Sequence, residues 1–264
     1  MGELIKNRYK LTNIISEGTM NTVWLAIDKK GPKKSDNVII KMFNKNNMTS
    51  DIENIIRFKK EVSLLSELDL RETTKILDMG EYHDNFFIVM EQIDGKTLDK
   101  YIESDMTIRK IVSVFLKVLY VIEKIHTKGV LHKDLKPQNI LIDENENVKI
   151  IDFDFSEALK DSATHDIFEG TIRYSSPEQI GLIRSNIDVR SDLYSLGVIF
   201  YEILTKRLPI DGENLNELVY NQISKMPDDP IKYNAKIDDT LAKIVLKLLE
   251  KDPTSTFSTG HINL

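Results

Sequence analysis

The 264-residue sequence contains no cysteine. A disulfide-stapled secreted scaffold and a zinc site built on thiolates are therefore both excluded. Its five histidines are scattered along the chain without the close spacing that metal ligands require. We therefore expect neither a structural nor a catalytic zinc ion, and the lack of cysteine is consistent with a reducing cytoplasm.

Long apolar runs are also lacking. The longest, residues 111–122, is interrupted by Lys117 and falls short of the roughly 20 residues that cross a bilayer. Residues 1–9 have neither the apolar core nor the small-residue cleavage site of a signal peptide. We therefore expect no membrane segment in this chain and a cytoplasmic location.

A strong positive charge is missing as well. The net charge is −6, so the chain has no excess of the basic side chains that nucleic acid or anionic lipid attracts. We therefore expect no nucleic-acid partner. What the chain does contain is 41% hydrophobic residues, which is enough to build the core of a globular protein.

The residue pattern divides the chain into a strand-rich and a helix-rich part. Runs of β-branched and aromatic residues between turns predict strands at 9–16, 22–28, 37–44, 75–81 and 85–91. Apolar residues at a spacing of three and four predict helices at 52–68, 108–128, 188–205 and 240–249. The sequence thus predicts an α+β fold with two lobes. The small lobe (1–91) is an antiparallel sheet with one helix, and a hinge (92–95) leads to a mainly helical large lobe (96–264).

The densest group of functional side chains is Leu-His-Lys-Asp-Leu-Lys-Pro-Gln-Asn at 131–139, followed by two short strands and Asp-Phe-Asp at 152–154. Taken singly, Asp134 and Asn139 would be ordinary loop-capping residues, and Asp152 a polar strand end. Together, at these offsets, they resemble the catalytic loop and metal-binding motif of the eukaryotic-like (Hanks-type) serine/threonine protein kinases, in their bacterial form. The resemblance implies the bilobal kinase fold for residues 1–264, with ATP and Mg²⁺ as cofactors and proteins with Ser or Thr as substrates.

The same resemblance implies roles for individual side chains. Asp134 would accept the proton of the substrate hydroxyl, and Lys136 would contact the transferring phosphate, as in the serine/threonine version of the loop. Asn139 and Asp152 would hold magnesium through oxygen ligands, which a hard cation prefers.

Lys41 resembles the lysine that grips the α- and β-phosphates, and its partner would be Glu61. Helical spacing places Glu61 on or beside the buried face of the predicted helix at 52–68. The alternative is a surface lysine and an unrelated helix glutamate.

The nucleotide site is less completely represented in the sequence. Of the family's three loop glycines only Gly18 is present, with Ser16 and Asn21 in place of the others, and alone this stretch would be an ordinary hairpin turn. Ile39 replaces a small alanine and would narrow the adenine slot. Core packing is the alternative for the apolar members of this set. The nucleotide-contacting residues implied are Ile15, Gly18, Val23, Ile39, Lys41, Met90, Glu91, Ile93 and Leu141.

Residues 170–178 resemble the end of an activation segment, where a protein substrate docks. Kinases of small molecules generally lack such a segment. Thr171 would bridge Asp134 and Lys136, and Asp192, at the start of a helix apolar nearly all round, would anchor the catalytic-loop backbone. His132 and Phe153 would stack with Leu65 and Ile76 in a spine of apolar side chains.

Several positions depart from the family pattern. Lys133 replaces an arginine, and lysine lacks the planar fork that binds a phosphate in the activation loop. Weaker dependence on phosphorylation at Ser162 or Thr164 is therefore expected. Asp154 replaces a glycine and would restrict backbone rearrangement, and Thr256 stands where an arginine commonly pairs with the equivalent of Glu178.

These departures leave one alternative from another class open, a pseudokinase that binds nucleotide or a partner and signals by shape. The sequence also ends where one more helix is expected, so the last helix of the large lobe is expected to be missing. Two explanations are open for this end: the chain is truncated, or it is the kinase part of a longer protein with C-terminal fused signalling domains.

Overall fold

The computed structural model describes residues 4–18, 21–31, 36–43, 56, 59, 62–64, 67–83, 85–102, 106–153, 157–158 and 172–257. The chain divides into two compact units, Met1–Asp94 and Gly95–Leu264. This is the α+β composition that the sequence predicts, with the antiparallel sheet in the first unit and the long helices in the second.

The first unit is built on a six-stranded antiparallel sheet with the order β1-β2-β3-β4-β6-β5. Its strands are β1 (Leu4–Ile5), β2 (Tyr9–Glu17), β3 (Asn21–Asp28), β4 (Asp36–Phe43), β5 (Ile76–Tyr82) and β6 (Asn85–Glu91). The five predicted strands are confirmed to within one residue at each end. β1 was not predicted, because a two-residue strand has no periodicity to detect.

Alternation along the strands sorts their side chains onto two faces. Ala26, Val38, Ile40 and Val89 belong to one face and are buried together in its core. On the other face, Phe43 and Ile88 are buried, and Val62 packs against them. Helical residues occur at 56, 59, 62–64 and 67–68, inside the predicted helix 52–68.

The second unit contains two small sheets and the long helices. The strands are β7 (Gly95–Thr97), β8 (Val130–Leu131), β9 (Ile140–Asp143), β10 (Val148–Ile150) and β11 (Glu157–Ala158). They form a β10-β9-β7 sheet and a β11-β8 pair. The helices are α1 (Leu98–Tyr101), α2 (Ile108–Thr127), α3 (Val189–Thr205), α4 (Leu215–Ser224) and α5 (Asp239–Leu248). The 3₁₀ turns are Pro137–Asn139, Pro230–Lys232 and Pro253–Ser255.

The long helices begin where capping chemistry is available. The side chains of Thr107, Asp188, Asn214 and Asp238 each accept a backbone N–H in the first turn of α2, α3, α4 and α5 respectively. α3 has 14 of its 17 residues buried, as its nearly all-round apolar pattern predicts. Phe115 of α2 stacks on Phe200 of α3, with ring centroids 3.9 Å apart.

Gly95 belongs to a strand, although the sequence places it in the hinge. It pairs with Asp143 of β9, and a Cβ at this position would lie 2.7 Å from the Ile142 carbonyl oxygen. Only glycine permits this approach of two strands without a backbone shift.

No helix in the described part of the chain is long and apolar enough to cross a membrane.

Candidate active site

The predicted catalytic loop connects β8 to β9, and its central acid is buried. Asp134 is only 1% exposed. Its Oδ2 accepts hydrogen bonds from Lys136 Nζ at 2.7 Å and from Asn139 Nδ2 at 3.0 Å. Asn139 Nδ2 also donates to the Asp134 backbone carbonyl at 2.9 Å. These contacts fix both the backbone and one carboxylate oxygen of the residue.

The other carboxylate oxygen of Asp134 is different. Oδ1 is buried and has no hydrogen-bond partner among the described residues. A buried acceptor normally has a donor, because leaving it unpaired costs about 1–3 kcal/mol. This carboxylate is therefore held through Oδ2, while Oδ1 is an acceptor without a donor among the described residues.

The predicted metal ligands Asn139 and Asp152 come together because of the β9–β10 hairpin. Ile140 pairs with Ile150 across the hairpin, so residue 139 lies opposite residue 151 at its end. The Ile151 N–H donates to the Asn139 carbonyl at 3.0 Å, and Asp152 follows directly. Register thus brings these two residues, 13 positions apart in sequence, to one end of the hairpin. Two protein oxygens suit Mg²⁺, which keeps its other positions for water and phosphate.

Asp192 anchors the catalytic loop from the start of α3, as the sequence predicts. Its Oδ2 accepts the His132 N–H and its Oδ1 accepts the Lys133 N–H, both at 2.9 Å. The His126 ring on α2 adds a contact through Nε2 at 2.8 Å. Burial alone would raise the pKa of Asp192, but the donors from His126 and His132 hold that pKa below its ordinary value. The anchor is therefore a charged carboxylate.

Two non-glycine residues beside the site have left-handed backbone geometry. Lys133 has φ +65° and Asp152 has φ +67°. Such conformations cost energy in non-glycine residues and persist only where surrounding contacts impose them. For Lys133, the Asp192 carboxylate is one such contact.

His132 and Phe153, two predicted members of the spine, are in ring contact but tilted. Their ring centroids lie 4.9 Å apart at a tilt of 57°. The prediction that Leu65 and Ile76 join this spine stays untested. Leu65 lies outside the described residues, and Ile76 packs within the first unit against Phe43 and Ile88.

In the first unit, strand register places four predicted nucleotide-binding residues on one face of the sheet. Val23 pairs with Lys41, and Ile39 pairs with Met90. Lys41 is 3% exposed, and its Nζ lies 5.7 Å from the Phe43 ring centroid. Lysine is rarely buried in proteins, so this burial contradicts the alternative interpretation, in which Lys41 is a surface lysine. Its predicted partner Glu61 lies outside the described residues.

The other predicted nucleotide contacts are less defined. Gly18 closes the β2–β3 turn by donating its N–H to the Asn21 carbonyl at 2.9 Å, and Ile15 is largely exposed. Glu91 ends β6 with its backbone N–H bonded to the Lys75 carbonyl, and half-buried Ile93 follows in the connection. Leu141, in the second unit, lies half-buried in β9 opposite Thr97.

The predicted docking segment is described from Ile172 onward, so its Thr171 lies outside the described residues. Asp154, Ser162 and Thr164, which precede the segment, also lie outside them. Glu178 is buried and accepts a hydrogen bond from the Ser191 hydroxyl at 2.6 Å. Thr256, which replaces the usual arginine, instead donates its hydroxyl to the Lys247 carbonyl. Ser191 therefore supplies a donor to the Glu178 carboxylate.

Sequence reasoning missed two polar residues that contact the catalytic loop or its anchor. These are His126, bonded to Asp192, and Gln179, whose side chain reaches the Lys133 carbonyl. Neither stands in a local motif, and each contacts a residue at least 46 positions away. No signal in a single sequence identifies such a pair.

Comparison with known proteins agrees with the protein kinase resemblance of the sequence. A protein kinase domain model matches residues 9–263. A probable serine/threonine-protein kinase of Clostridium perfringens is 33% identical over 98% of this chain and 38% of its own length. Serine/threonine-protein kinase PrkC of Bacillus subtilis is 32% identical over 99% of this chain and 40% of its own. PknB of Mycolicibacterium smegmatis is 31% identical over 97% and 42%. The chain thus spans about two fifths of the length of these curated relatives.

Proposed function

The chain belongs to the protein kinase family, and from this premise we propose that it is a serine/threonine protein kinase that transfers the γ-phosphate of ATP to protein hydroxyls. The observation that carries the proposal is the Asp134 carboxylate. One oxygen is fixed by Lys136 and Asn139, and the other is buried without a partner among the described residues.

Asp134 acts on the substrate hydroxyl in this proposal. Oδ1 accepts the hydroxyl hydrogen bond, orients the oxygen for attack and takes up its proton. Lys136 neutralises the same carboxylate through Oδ2 and presents a positive charge beside the transferring phosphate. The serine/threonine preference rests on Lys136 and on the names of the relatives.

Magnesium is the proposed metal. Asn139 and Asp152 would hold it, and the fit rests on the chemistry of their oxygen-bearing side chains and on the position of both residues at one end of the β9–β10 hairpin. When bound, the ion supplies positive charge to the phosphate oxygens. Among the described residues no cluster of three or more His, Asp or Glu side chains is present, which is compatible with a metal that takes its remaining ligands from ATP and water.

ATP would be bound in part by residues on one face of the first unit's sheet. Buried Lys41 supplies a positive charge for the α- and β-phosphates, while Val23 and Met90 offer apolar contacts to adenine. We place this catalytic part in the cytoplasm, where ATP is available. Because the relatives are more than twice as long, fused signalling domains are also proposed.

The test is a phosphotransfer assay with labelled ATP, magnesium and a generic basic protein substrate. Wild-type protein is expected to label Ser and Thr, while Asp134→Asn, which keeps size and removes the proton acceptor, reduces transfer to background. Asp228→Asn, an exposed site on the second unit, is the matched control and should retain wild-type transfer.

The opposing hypothesis is the pseudokinase. Equal labelling by wild type and Asp134→Asn would contradict the kinase proposal, as would nucleotide binding by the wild type without any transfer. Phosphoamino-acid analysis of the product then decides between serine/threonine and tyrosine specificity.

A further inference from the structure

The side chain of Gln179 forms a bridge between the docking segment and the catalytic loop. Its Nε2 donates to the Lys133 carbonyl at 2.9 Å, and its Oε1 accepts from the Ser176 N–H at 2.9 Å and the Ser176 hydroxyl at 3.1 Å. Gln179 is 8% exposed and Ser176 is fully buried. Both ends of the amide are therefore used, and they are used in a buried place.

The orientation of this amide is fixed by its partners. The Ser176 N–H can only donate, so it must face the amide oxygen, and the Lys133 carbonyl can only accept, so it must face the amide nitrogen. A flipped amide would place donor against donor and acceptor against acceptor. One side chain with both a donor and an acceptor is what the bridge requires.

Both backbone polar groups of Lys133 are consequently hydrogen-bonded to side chains. Asp192 accepts its N–H and Gln179 donates to its C=O, while φ of Lys133 is +65°. A non-glycine residue reaches this geometry only where contacts impose it. Asp134 is the next residue in the chain, so the direction of its carboxylate depends on this peptide.

We propose that Gln179 is a positioning residue that couples the docking segment to Asp134 through the Lys133 peptide. The inference rests on the proposed kinase function. In a kinase, the segment that receives the protein substrate is thereby joined directly to the loop that activates the substrate hydroxyl, and a shift of one moves the other.

Two substitutions separate the ends of the bridge. Gln179→Glu keeps the acceptor for Ser176 but loses the donor to Lys133. It should lower kcat about tenfold, since a lost buried hydrogen bond and about 1.4 kcal/mol correspond to that factor. The KM values for ATP and protein substrate should stay unchanged. Gln179→Met loses both ends, so it should lower kcat and also raise the KM for the protein substrate.

Asn234→Asp is the matched control. Asn234 Nδ2 donates to the Leu204 carbonyl at 2.8 Å, and its Oδ1 accepts the Lys236 N–H. The control therefore loses one amide-to-carbonyl bond in the same unit and keeps its acceptor, without touching the catalytic loop. It should lower the thermal midpoint as Gln179→Glu does but leave kcat at the wild-type value. Wild-type kcat in Gln179→Glu, or an equal loss in the control, overturns the proposal.

Amide hydrogen exchange at Lys133 and Asp134 provides a readout that needs no catalysis. Exchange should be faster in Gln179→Glu than in wild type and unchanged in Asn234→Asp. If the wild type transfers no phosphate, the kinase proposal fails, and exchange still decides the bridge, because equal rates in the two variants overturn it. Gln179→Met, which brings no charge into the site, replaces the glutamate variant in this comparison should that variant not fold.

Discussion

Asp192→Asn should destabilise the protein more than the same change at an ordinary helix cap, because Asp192 also anchors the catalytic loop. The Asp192 carboxylate accepts two loop amides and also contacts His126, all at 2.8–2.9 Å, while the residue is 1% exposed. An asparagine of the same size has one acceptor oxygen, and its NH₂ group would face a donor. At least one buried hydrogen bond to a charged group is lost and one donor is left unpaired.

The magnitude follows from these contacts. Hydrogen bonds to a charged group contribute about 1.5–3 kcal/mol each, and an unpaired buried donor adds a similar cost, so the lower end of each range gives a loss of about 3 kcal/mol in the free energy of unfolding. At about 2–4 °C per kcal/mol for a protein of this size, the thermal midpoint should fall by about 6–12 °C. Asp238→Asn, at the exposed N-cap of α5, is the control, because its carboxylate accepts the Leu241 N–H and asparagine and aspartate cap helices equally well.

The pH dependence of this difference has a definite sign. The folded-state pKa of Asp192 lies below its ordinary value, so its contribution is fully present above the unfolded pKa of about 4 and is lost as pH falls through the folded pKa. The difference in thermal midpoint between wild type and variant should therefore be present at neutral pH and should shrink below about pH 4. A midpoint for Asp192→Asn equal to that of Asp238→Asn at neutral pH would refute the anchoring role.

Three further outcomes are expected. Gly95→Ala should destabilise the second unit by about 1–3 kcal/mol in urea denaturation, because its Cβ would meet the Ile142 carbonyl at 2.7 Å, and unchanged stability would contradict that contact. Phe115→Ala should cost about 3–5 kcal/mol by the same method through loss of its stacked ring contact, and a cost below 1 kcal/mol would contradict the packing. Replacing Ser162 and Thr164 together by alanine should leave most phosphotransfer activity. Loss of that activity would show that activation-loop phosphorylation is required.

Much of this molecule was predictable from the sequence because its signals are local. The loop containing Asp134 and Asn139 is contiguous, and the long helices carry clear apolar periodicity. α4 was not predicted, although Leu215, Leu218, Val219 and Ile223 have helical spacing. Its buried residues are Leu218, Asn221 and Gln222, two of them amides, whereas Leu215 and Ile223 are exposed, so the apolar positions do not mark the buried face. Buried polar side chains that bond to the backbone defeat a pattern based on hydrophobicity.

The contacts that position the site escaped prediction for a different reason. Gln179 and Lys133 are 46 residues apart, and His126 and Asp192 are 66 apart. A sequence shows that glutamine and histidine have donors and acceptors, but only the fold brings each one to its partner. Asp192 was predicted solely because the family resemblance supplied the pairing.

The replacement of arginine by lysine at position 133 can now be interpreted through the backbone. The contacts that fix the Lys133 peptide are made by its N–H and its C=O, to Asp192 and Gln179 respectively. Both groups are independent of the side chain, so the lysine leaves the placement of Asp134 intact. What the substitution removes is the planar guanidinium fork suited to a phosphate. We therefore expect the departure from the family pattern to affect regulation through the side chain, while the placement of Asp134 depends on the main chain that contacts Asp192 and Gln179.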